Sequence, residues 1–266
     1  MRKTALKPSP PWRWAVLGSL LGLVVATVLF APSAWLGTAV ALSSQGRVVL
    51  NEASGTVWNG SGQLVLSGGA GSRDATTLPG RIHWRLKPTL TLDLKLLVDA
   101  DCCTAQSVEI LVSPRMDGLT AVVQPSQSNW PATLLTGLGA PFNTIDLQAT
   151  LKLNTQVLTL EWLNKQLKLE GKAALDVIDA STRLSTLRPV GSYRLNFQGS
   201  QGAAAPSLNL ETLSGSLLLS GSGQLTGNRW RFSGEASAAP GFEAALSNFL
   251  DILGRRVGPR SIITVG

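Results

Sequence analysis

The 266-residue sequence is poor in the residue types that most often perform chemistry, with one histidine, two cysteines and only 15% charged residues. The histidine, His83, stands between Arg81 and Arg85 on the polar side of an alternating segment, where we expect it to be solvated rather than to act as a base. No G-x-S-x-G nucleophile elbow occurs, and the Gly-Ser-Gly run at 60–62 lacks the third glycine of a dinucleotide-binding loop. The sequence therefore predicts no catalytic residue and no cofactor.

Soft metal ligands are equally scarce, because the only cysteines are the adjacent pair Cys102 and Cys103. Neighbouring residues of a strand point to opposite faces, and four ligands at zinc spacing are missing, so we predict no metal site. Three states remain open for the pair: a vicinal disulfide between them, a buried apolar pair, or a bond to another chain.

The net positive charge outside the amino terminus is small. The formal net charge is +7, yet Arg2, Lys3, Lys7 and Arg13 precede the first apolar run, and the remaining residues carry 19 basic against 16 acidic side chains. A short basic tail before an apolar run is typical of the cytoplasmic flank of a membrane protein. The charge pattern therefore predicts a cytoplasmic tail over 1–13 and argues against a nucleic-acid partner.

The longest apolar run spans residues 14–31 and contains neither a charged residue nor a proline. As a helix it would be about 27 Å long, close to the thickness of a bilayer core, which predicts a transmembrane helix surrounded by membrane lipid. A cleaved signal peptide is the alternative. Gly18, Gly22 and Ala26 recur every fourth residue, a pattern that predicts packing against a second transmembrane helix in a homo- or hetero-oligomer. Residues 32–45 are then a juxtamembrane connection.

Beyond residue 46 the apolar residues take every second place, which is the period of a half-buried antiparallel strand. We therefore predict a mainly β fold over 46–266, a curled, mostly antiparallel sheet with a one-sided apolar face that either closes on itself or leaves an apolar groove. The predicted strands with the clearest alternation cover 81–87, 90–98, 147–153, 158–162, 167–177, 193–197, 213–219 and 230–232.

Two segments break this alternation and predict about two short amphipathic helices. The first covers 127–138, where apolar residues fall at helical spacing, and it divides the β domain into two halves near 127–140. The second follows Phe242 and is expected to stop at Gly254. Between two early strands, Asn59-Gly60 predicts a two-residue hairpin turn.

Five short motifs, taken in order, resemble the protein N family of the type II (general) secretion pathway. The similarity extends over nearly the whole chain and rests on the order and spacing of the motifs, since no single one is specific. The motifs are SGTVWNGSG at 54–62, WRLKP at 84–88, GLGAP at 137–141, PVGSYRL at 189–195 and the helical segment 246–254, and their family-like positions are Gly55, Trp58, Gly60, Trp84, Pro88, Gly191, Tyr193 and Gly254.

The resemblance implies a single-pass inner-membrane protein of Gram-negative bacteria whose main domain lies in the periplasm. It implies an accessory component without catalytic activity that supports export of folded proteins across the outer membrane through contacts with other inner-membrane and periplasmic components of the system. The leucine-rich alternating strands also resemble the AsmA-like proteins, which implies a periplasmic lipid-binding or lipid-transfer module as the alternative.

Overall fold

The computed structural model describes residues 12–163, 166–200, 204–226 and 229–266. Strands dominate these ranges, and the helices lie near both ends and in the middle of the chain. The helices are α1 (Trp12–Leu29), α2 (Ser33–Ser43), a 3₁₀ helix (Ala132–Leu138), α3 (Phe142–Ile145) and α4 (Glu243–Leu253). The strands are β1 (Val48–Gly55), β2 (Asn59–Ser67), β3 (Ala75–Thr77), β4 (Ile82–Pro88), β5 (Leu94–Ala100), β6 (Val108–Arg115), β7 (Gly118–Val123), β8 (Ser126–Pro131), β9 (Gln148–Leu163), β10 (Gln166–Ser181), β11 (Gly191–Gln198), β12 (Ser207–Gly215), β13 (Leu217–Thr226), β14 (Arg229–Ala238), β15 (Arg255–Val257) and β16 (Arg260–Val265).

All sixteen strands belong to one antiparallel sheet, which confirms the mainly β prediction. The strand order is β1-β2-β4-β5-β6-β7-β9-β10-β11-β12-β13-β14-β16-β15, with β3 added beside β2 and β8 beside β9. Because β1 and β15 end this order without pairing with each other, the sheet is open rather than closed. Most strands pair with their neighbour in sequence, which is what short connections allow.

The register gives the sheet one apolar and one polar face. Across five consecutive strands of the order, Leu86, Leu96, Ile110, Val123 and Leu158 stand opposite one another in a single row, so their side chains share one face. This agrees with the predicted one-sided apolar face, because alternating side chains point to opposite sides of a strand.

The polar face is the reverse side of the same strands, and most of the ion pairs lie there. Arg85 with Asp99 and Lys95 with Glu109 link β4, β5 and β6 at 3.5 and 2.7 Å. Such exposed pairs contribute little stability each, about 0–1 kcal/mol, so the fold depends mainly on the opposite face.

Two separate hydrophobic clusters cover parts of the apolar face. The amino-terminal cluster comprises Leu78, Ala100, Cys103 and Leu134, with the 3₁₀ helix above β2. The carboxy-terminal cluster is larger and packs α4 onto β14 and β16; its buried members are Ala180, Val190, Tyr193, Leu217, Ala236, Leu246, Phe249 and Leu250. Each predicted half thus has its own core, while the sheet runs continuously between them; the division into two halves remains a prediction.

The prediction of a transmembrane helix over 14–31 requires correction. Among the described residues, no helix has both the length and the apolar character needed to cross a membrane. The apolar run is interrupted, because α1 ends at Leu29 and Pro32 precedes α2. The connection over 32–45 is largely the helix α2, and the tail residues 1–11 lie outside the described residues.

The two predicted amphipathic helices have different outcomes. The second is confirmed, because α4 buries Leu246, Phe249 and Leu250 on one side. The first is partly wrong: residues 126–131 form β8, and only the segment from Ala132 onwards is helical, as a 3₁₀ helix. Pairing of Trp130 with Leu151 in β9 outweighs the helical spacing of the apolar residues there.

Candidate functional site

The family-like positions of the first two motifs meet at the start of β2 and in β4. Gly60 stands directly opposite Trp84, whose side chain is buried and whose indole Nε1 donates to the carbonyl oxygens of Thr56 and Val57 at 3.3 and 3.1 Å. A Cβ atom on Gly60 would lie 2.6 Å from the indole ring. Glycine is therefore required at this position for the tryptophan to close over the strand.

The β1–β2 turn joins this cluster to α1. Gly55 has φ +88°, a left-handed conformation that glycine adopts without strain, and the turn that follows occupies residues 56–58. The indole of Trp58 donates to the carbonyl oxygen of Val28 in α1 at 2.7 Å. The predicted hairpin is confirmed, since β1 pairs with β2, but its turn lies at 56–58 and not at Asn59-Gly60, because both of these residues already belong to β2.

A second meeting of family-like positions occurs in β11. The Tyr193 hydroxyl donates to the carbonyl oxygen of Leu217 at 3.0 Å inside the carboxy-terminal cluster, and burial raises the pKa of this phenol. A Cβ atom on Gly191 would lie 2.6 Å from that hydroxyl oxygen. The hydrogen bond from Tyr193 to Leu217 holds β11 against β13, so these positions have a structural role.

The last two positions lie apart from these clusters. Pro88 ends β4 and pairs with Leu94. Gly254 follows α4 as predicted, but with φ −178°, an extended conformation open to any residue. Its need for glycine arises instead from close approach, since a Cβ atom there would overlap the carbonyl oxygen of Ile262.

The small-residue face of α1 contacts no other part of the described chain. A Cβ atom added to Gly18 or Gly22 would meet no other atom within 4 Å, and Ala26 is exposed like the rest of the helix. Packing of this face against another helix stays a prediction.

His83 and the cysteine pair, which were considered for chemistry and set aside, have the following surroundings. His83 lies 3.2 Å from the Asp101 carboxylate, with both side chains about half exposed. Within the ranges that the structure describes, no group of three or more His, Cys, Asp or Glu side chains is placed to hold a metal ion. Cys102 and Cys103 are joined to each other by a disulfide in the turn after β5, and Cys103 is buried.

A concave site lies where β9 changes partner from β8 to β7. This polar cleft has a volume of about 760 Å³ and is lined by consecutive residues of β9, β10 and β11 together with residues of β8, with the 105–107 loop as its other wall. Its polar lining residues are Gln106, Ser107, Ser126, Gln127, Asn154, Thr155, Gln156, Lys172, Asn196 and Gln198. Lys172 is the one charged residue of this lining, so the cleft suits hydrogen bonding to neutral polar groups.

Sequence reasoning missed this cleft because it depends on a β-bulge. The register between β9 and β10 shifts between Gly171 and Ala173, where one residue of β10 opposes two of β9. Gly171 has φ +104° there, and a lone glycine in an alternating strand was one signal of the bulge in the sequence.

Next to the cleft, one ion pair stands out by its burial. Arg194 donates from Nε and from a terminal nitrogen to the two carboxylate oxygens of Asp176 at 2.6 and 2.8 Å. This bidentate hydrogen bond lowers the pKa of the Asp176 carboxyl and raises the pKa of the Arg194 guanidinium. The pair links β10 to β11, where Asp176 and Arg194 stand directly opposite each other.

A third feature is the uncovered middle of the apolar face. Between the two hydrophobic clusters, Leu96, Ile110, Val123, Leu160 and Leu169 are only partly buried. Neither the 3₁₀ helix nor α4 reaches them. The open sheet therefore leaves this part of its apolar face without a covering helix in the described chain, and the apolar groove stays a prediction.

Comparison with known families gives one match. The model of a family described as type II secretion system (T2SS), protein N, matches residues 46–263, which is most of the chain and the whole sheet apart from the last residues of β16. Neither the curated proteins nor the solved structures provide a match.

Proposed function

The chain belongs to the protein N family of the type II secretion system, and from this we propose that it is an accessory component supporting export of folded proteins across the outer membrane. The family is one of secretion-system components rather than of enzymes, and it implies a location in the cell envelope and interaction with other components of the system. The family match over 46–263 is the observation on which the proposal rests.

We place the β domain in the periplasm. Support comes from the Cys102–Cys103 disulfide, because disulfides persist in the oxidising periplasm and are rare in the cytoplasm. The family's place in the envelope is consistent with this compartment.

We assign partner contact to the polar cleft. Its amide and hydroxyl side chains suit the backbone groups of an extended polypeptide, which offer donors and acceptors without charge. Most of these side chains form no hydrogen bond within the described part of the chain; Gln127, Gln156 and Gln198 are also exposed at the cleft rim.

The test is genetic and uses a matched pair of charge reversals. Lys172→Glu alters the cleft, whereas Lys87→Glu alters an exposed lysine of β4 away from it. We expect deletion of the gene to reduce exoprotein secretion. Partner cross-linking is measured from a photoreactive residue at Gln198, and we expect Lys172→Glu to weaken the binding that it reports by about tenfold, or about 1.4 kcal/mol. We expect Lys87→Glu to leave this cross-linking unchanged. Unchanged secretion after deletion of the gene would refute the role in secretion. Unchanged cross-linking after reversal of Lys172 would refute partner contact at the cleft.

The uncovered middle of the apolar face supports a second candidate, a lipid-binding or lipid-transfer module. Side chains such as Ile110 in β6 and Leu160 in β9 would contact acyl chains on this face. Extraction and mass spectrometry of the purified protein would then yield bound lipid, and Leu160→Gln would reduce its amount. A lipid-free protein from cells that secrete normally would exclude this candidate.

A further inference from the structure

Fully exposed large apolar side chains gather at one end of the sheet, at the tips of neighbouring hairpins. Leu90 and Leu92 lie in the turn between β4 and β5 and are 105% and 85% exposed, and Met116 lies in the turn between β6 and β7 at 110%. Leu119 and Trp162, paired across β7 and β9 just below this edge, are about half exposed. Single exposed apolar residues are normal on a protein surface, but a row of them at one end of a sheet indicates a binding surface.

The topology places these tips side by side. The strands β4, β6 and β9 run in the same direction and finish at this end, and β5 pairs with β6 between the first two turns. Adjacent strands are about 4.8 Å apart, so successive hairpin tips are separated by about 10 Å. The tips therefore form a row rather than isolated points.

The first turn holds its apolar residues in a fixed and costly conformation. Leu92 has φ +64°, a left-handed conformation that glycine or asparagine adopts far more readily than leucine. The amide of Leu92 donates to the carbonyl oxygen of Thr89, and the amide of Thr89 donates to that of Asp93. A rigid turn thus presents two leucines to the outside although a polar residue would suit the backbone better.

The apolar helix α1 joins the sheet at this same end. The β1–β2 turn points toward this end because β1 runs in the direction of β4; Trp58 in that turn accepts a hydrogen bond from Leu86 near the end of β4, and its indole donates to Val28 of α1. The side chains of α1 are exposed along its described length, including Leu17 and Leu21. Two distant parts of the chain therefore bring uncovered apolar surface to one end of the molecule.

We propose that this end of the sheet rests against a lipid surface and inserts Leu90, Leu92 and Met116 into it. The side chains protrude from hairpin tips, and none of them is among the lining residues of the polar cleft. A protein partner would need a pocket for each, whereas a bilayer accepts separate protruding groups without complementary shape. Arg115 and Asp117 flank Met116 with opposite charges, so the attraction is apolar rather than electrostatic.

The experiment measures insertion at the tips of the full-length protein. The native cysteines are disulfide-bonded, so a Met116→Cys variant can be labelled with a fluorophore without reduction. Vesicles of phosphatidylcholine with brominated acyl chains, with and without phosphatidylglycerol, serve as the probe. The matched control is Val257→Cys, an exposed apolar position on the edge strand β15. We expect the bromines to quench the label at 116 about twofold or more, because inserted groups reach roughly 5–10 Å into the interface, and to leave the label at 257 unchanged.

A second variant separates insertion from binding of the rest of the chain. Leu90→Asp in the labelled protein changes a fully exposed side chain, so folding is retained, and circular dichroism verifies it. We expect bromine quenching at 116 to fall to the level of the label at 257, with or without the anionic lipid. Equal quenching at both positions, or no quenching at 116, overturns the proposal. Self-quenching that rises with protein concentration in the absence of vesicles indicates a second copy on the tips and also overturns it. None of these results alters the role in secretion, which the deletion experiment tests separately.

Discussion

Replacing Tyr193 with phenylalanine tests whether the family-like positions in β11 are structural. The substitution keeps the ring in the carboxy-terminal cluster, where Tyr193 is only 5% exposed, and removes the hydroxyl that donates to the carbonyl oxygen of Leu217. A buried acceptor that loses its partner costs about 1–3 kcal/mol. Thermal unfolding followed by circular dichroism should therefore show a melting temperature lower by about 2–4 °C for each kcal/mol lost.

A matched control and an independent readout strengthen this test. Ser54→Ala removes an exposed hydroxyl that bonds to Ser61, and we expect a change within about 0.5 kcal/mol. Tyr193 is the only tyrosine of the sequence, so its ionisation can be followed by absorbance at alkaline pH.

The pH dependence follows from the raised pKa of this phenol. Stability is complete below pH about 10, where tyrosine ionises in the unfolded chain, and falls at higher pH by about 1.4 kcal/mol per pH unit until the folded pKa is reached. Tyr193→Phe should abolish this component of the alkaline loss. Stability equal to that of the unsubstituted protein, or ionisation near pH 10 in the native state, would refute the buried donor.

Three further substitutions test other contacts. Gly60→Ala places a methyl group 2.6 Å from the Trp84 ring, and urea unfolding should show a loss of about 1–3 kcal/mol from overpacking; an unchanged midpoint would contradict the close approach. Arg194→Met removes the group that lowers the pKa of Asp176, so NMR titration should show this pKa rising, and the stability that this carboxyl loses as the pH falls below its ordinary pKa should shrink; an unshifted titration would argue against the ion pair. The double variant Cys102→Ala/Cys103→Ser should be less stable than Cys102→Ala/Cys103→Ala by about 1–3 kcal/mol, because the serine hydroxyl would be buried at position 103. Equal stability of the two variants would place residue 103 outside the core.

The sequence predicted strands well where alternation was strong and failed where a bulge changed its phase. The prediction for 167–177 corresponds to β10, which extends over Gln166–Ser181. The two strands predicted at 147–153 and 158–162 are one strand, β9, because its apolar residues are odd-numbered before the bulge and even-numbered after it. Pattern reasoning interprets such a change of phase as a break, whereas the backbone accommodates it with extra residues.

Turns were less predictable because alternation can continue through them. The strand predicted over 90–98 begins only at Leu94, since Leu90 and Leu92 lie in a turn while keeping the even-numbered pattern. Likewise the strand predicted over 213–219 spans two strands, with Gly215 at φ +128° between them. Side-chain period shows which face a residue would take, but not whether its backbone is paired.

The candidate site could be predicted only in part. The family-like positions were named from the sequence, but the contact of Gly60 with Trp84 and the packing of Gly191 against Tyr193 depend on which strands become neighbours. The polar cleft needs four strands and a loop to assemble it. Long-range pairing of this kind leaves no trace in local spacing, and only the general expectation of an apolar groove followed from composition and period.

The path of the chain through the sheet decides how the domain would respond to a pulling force. The described chain enters beside the edge strand β1 and leaves at β16, next to the opposite edge. The hydrogen bonds between strands are perpendicular to the strands, so tension between these two points acts along the bonds. The strand pairs would therefore separate one after another. Among the described strands, the long β9–β10 hairpin has the most extensive pairing, with thirteen opposed residue pairs, and would be the last to part. A component placed under load between its two edges would therefore lengthen in steps instead of failing at once.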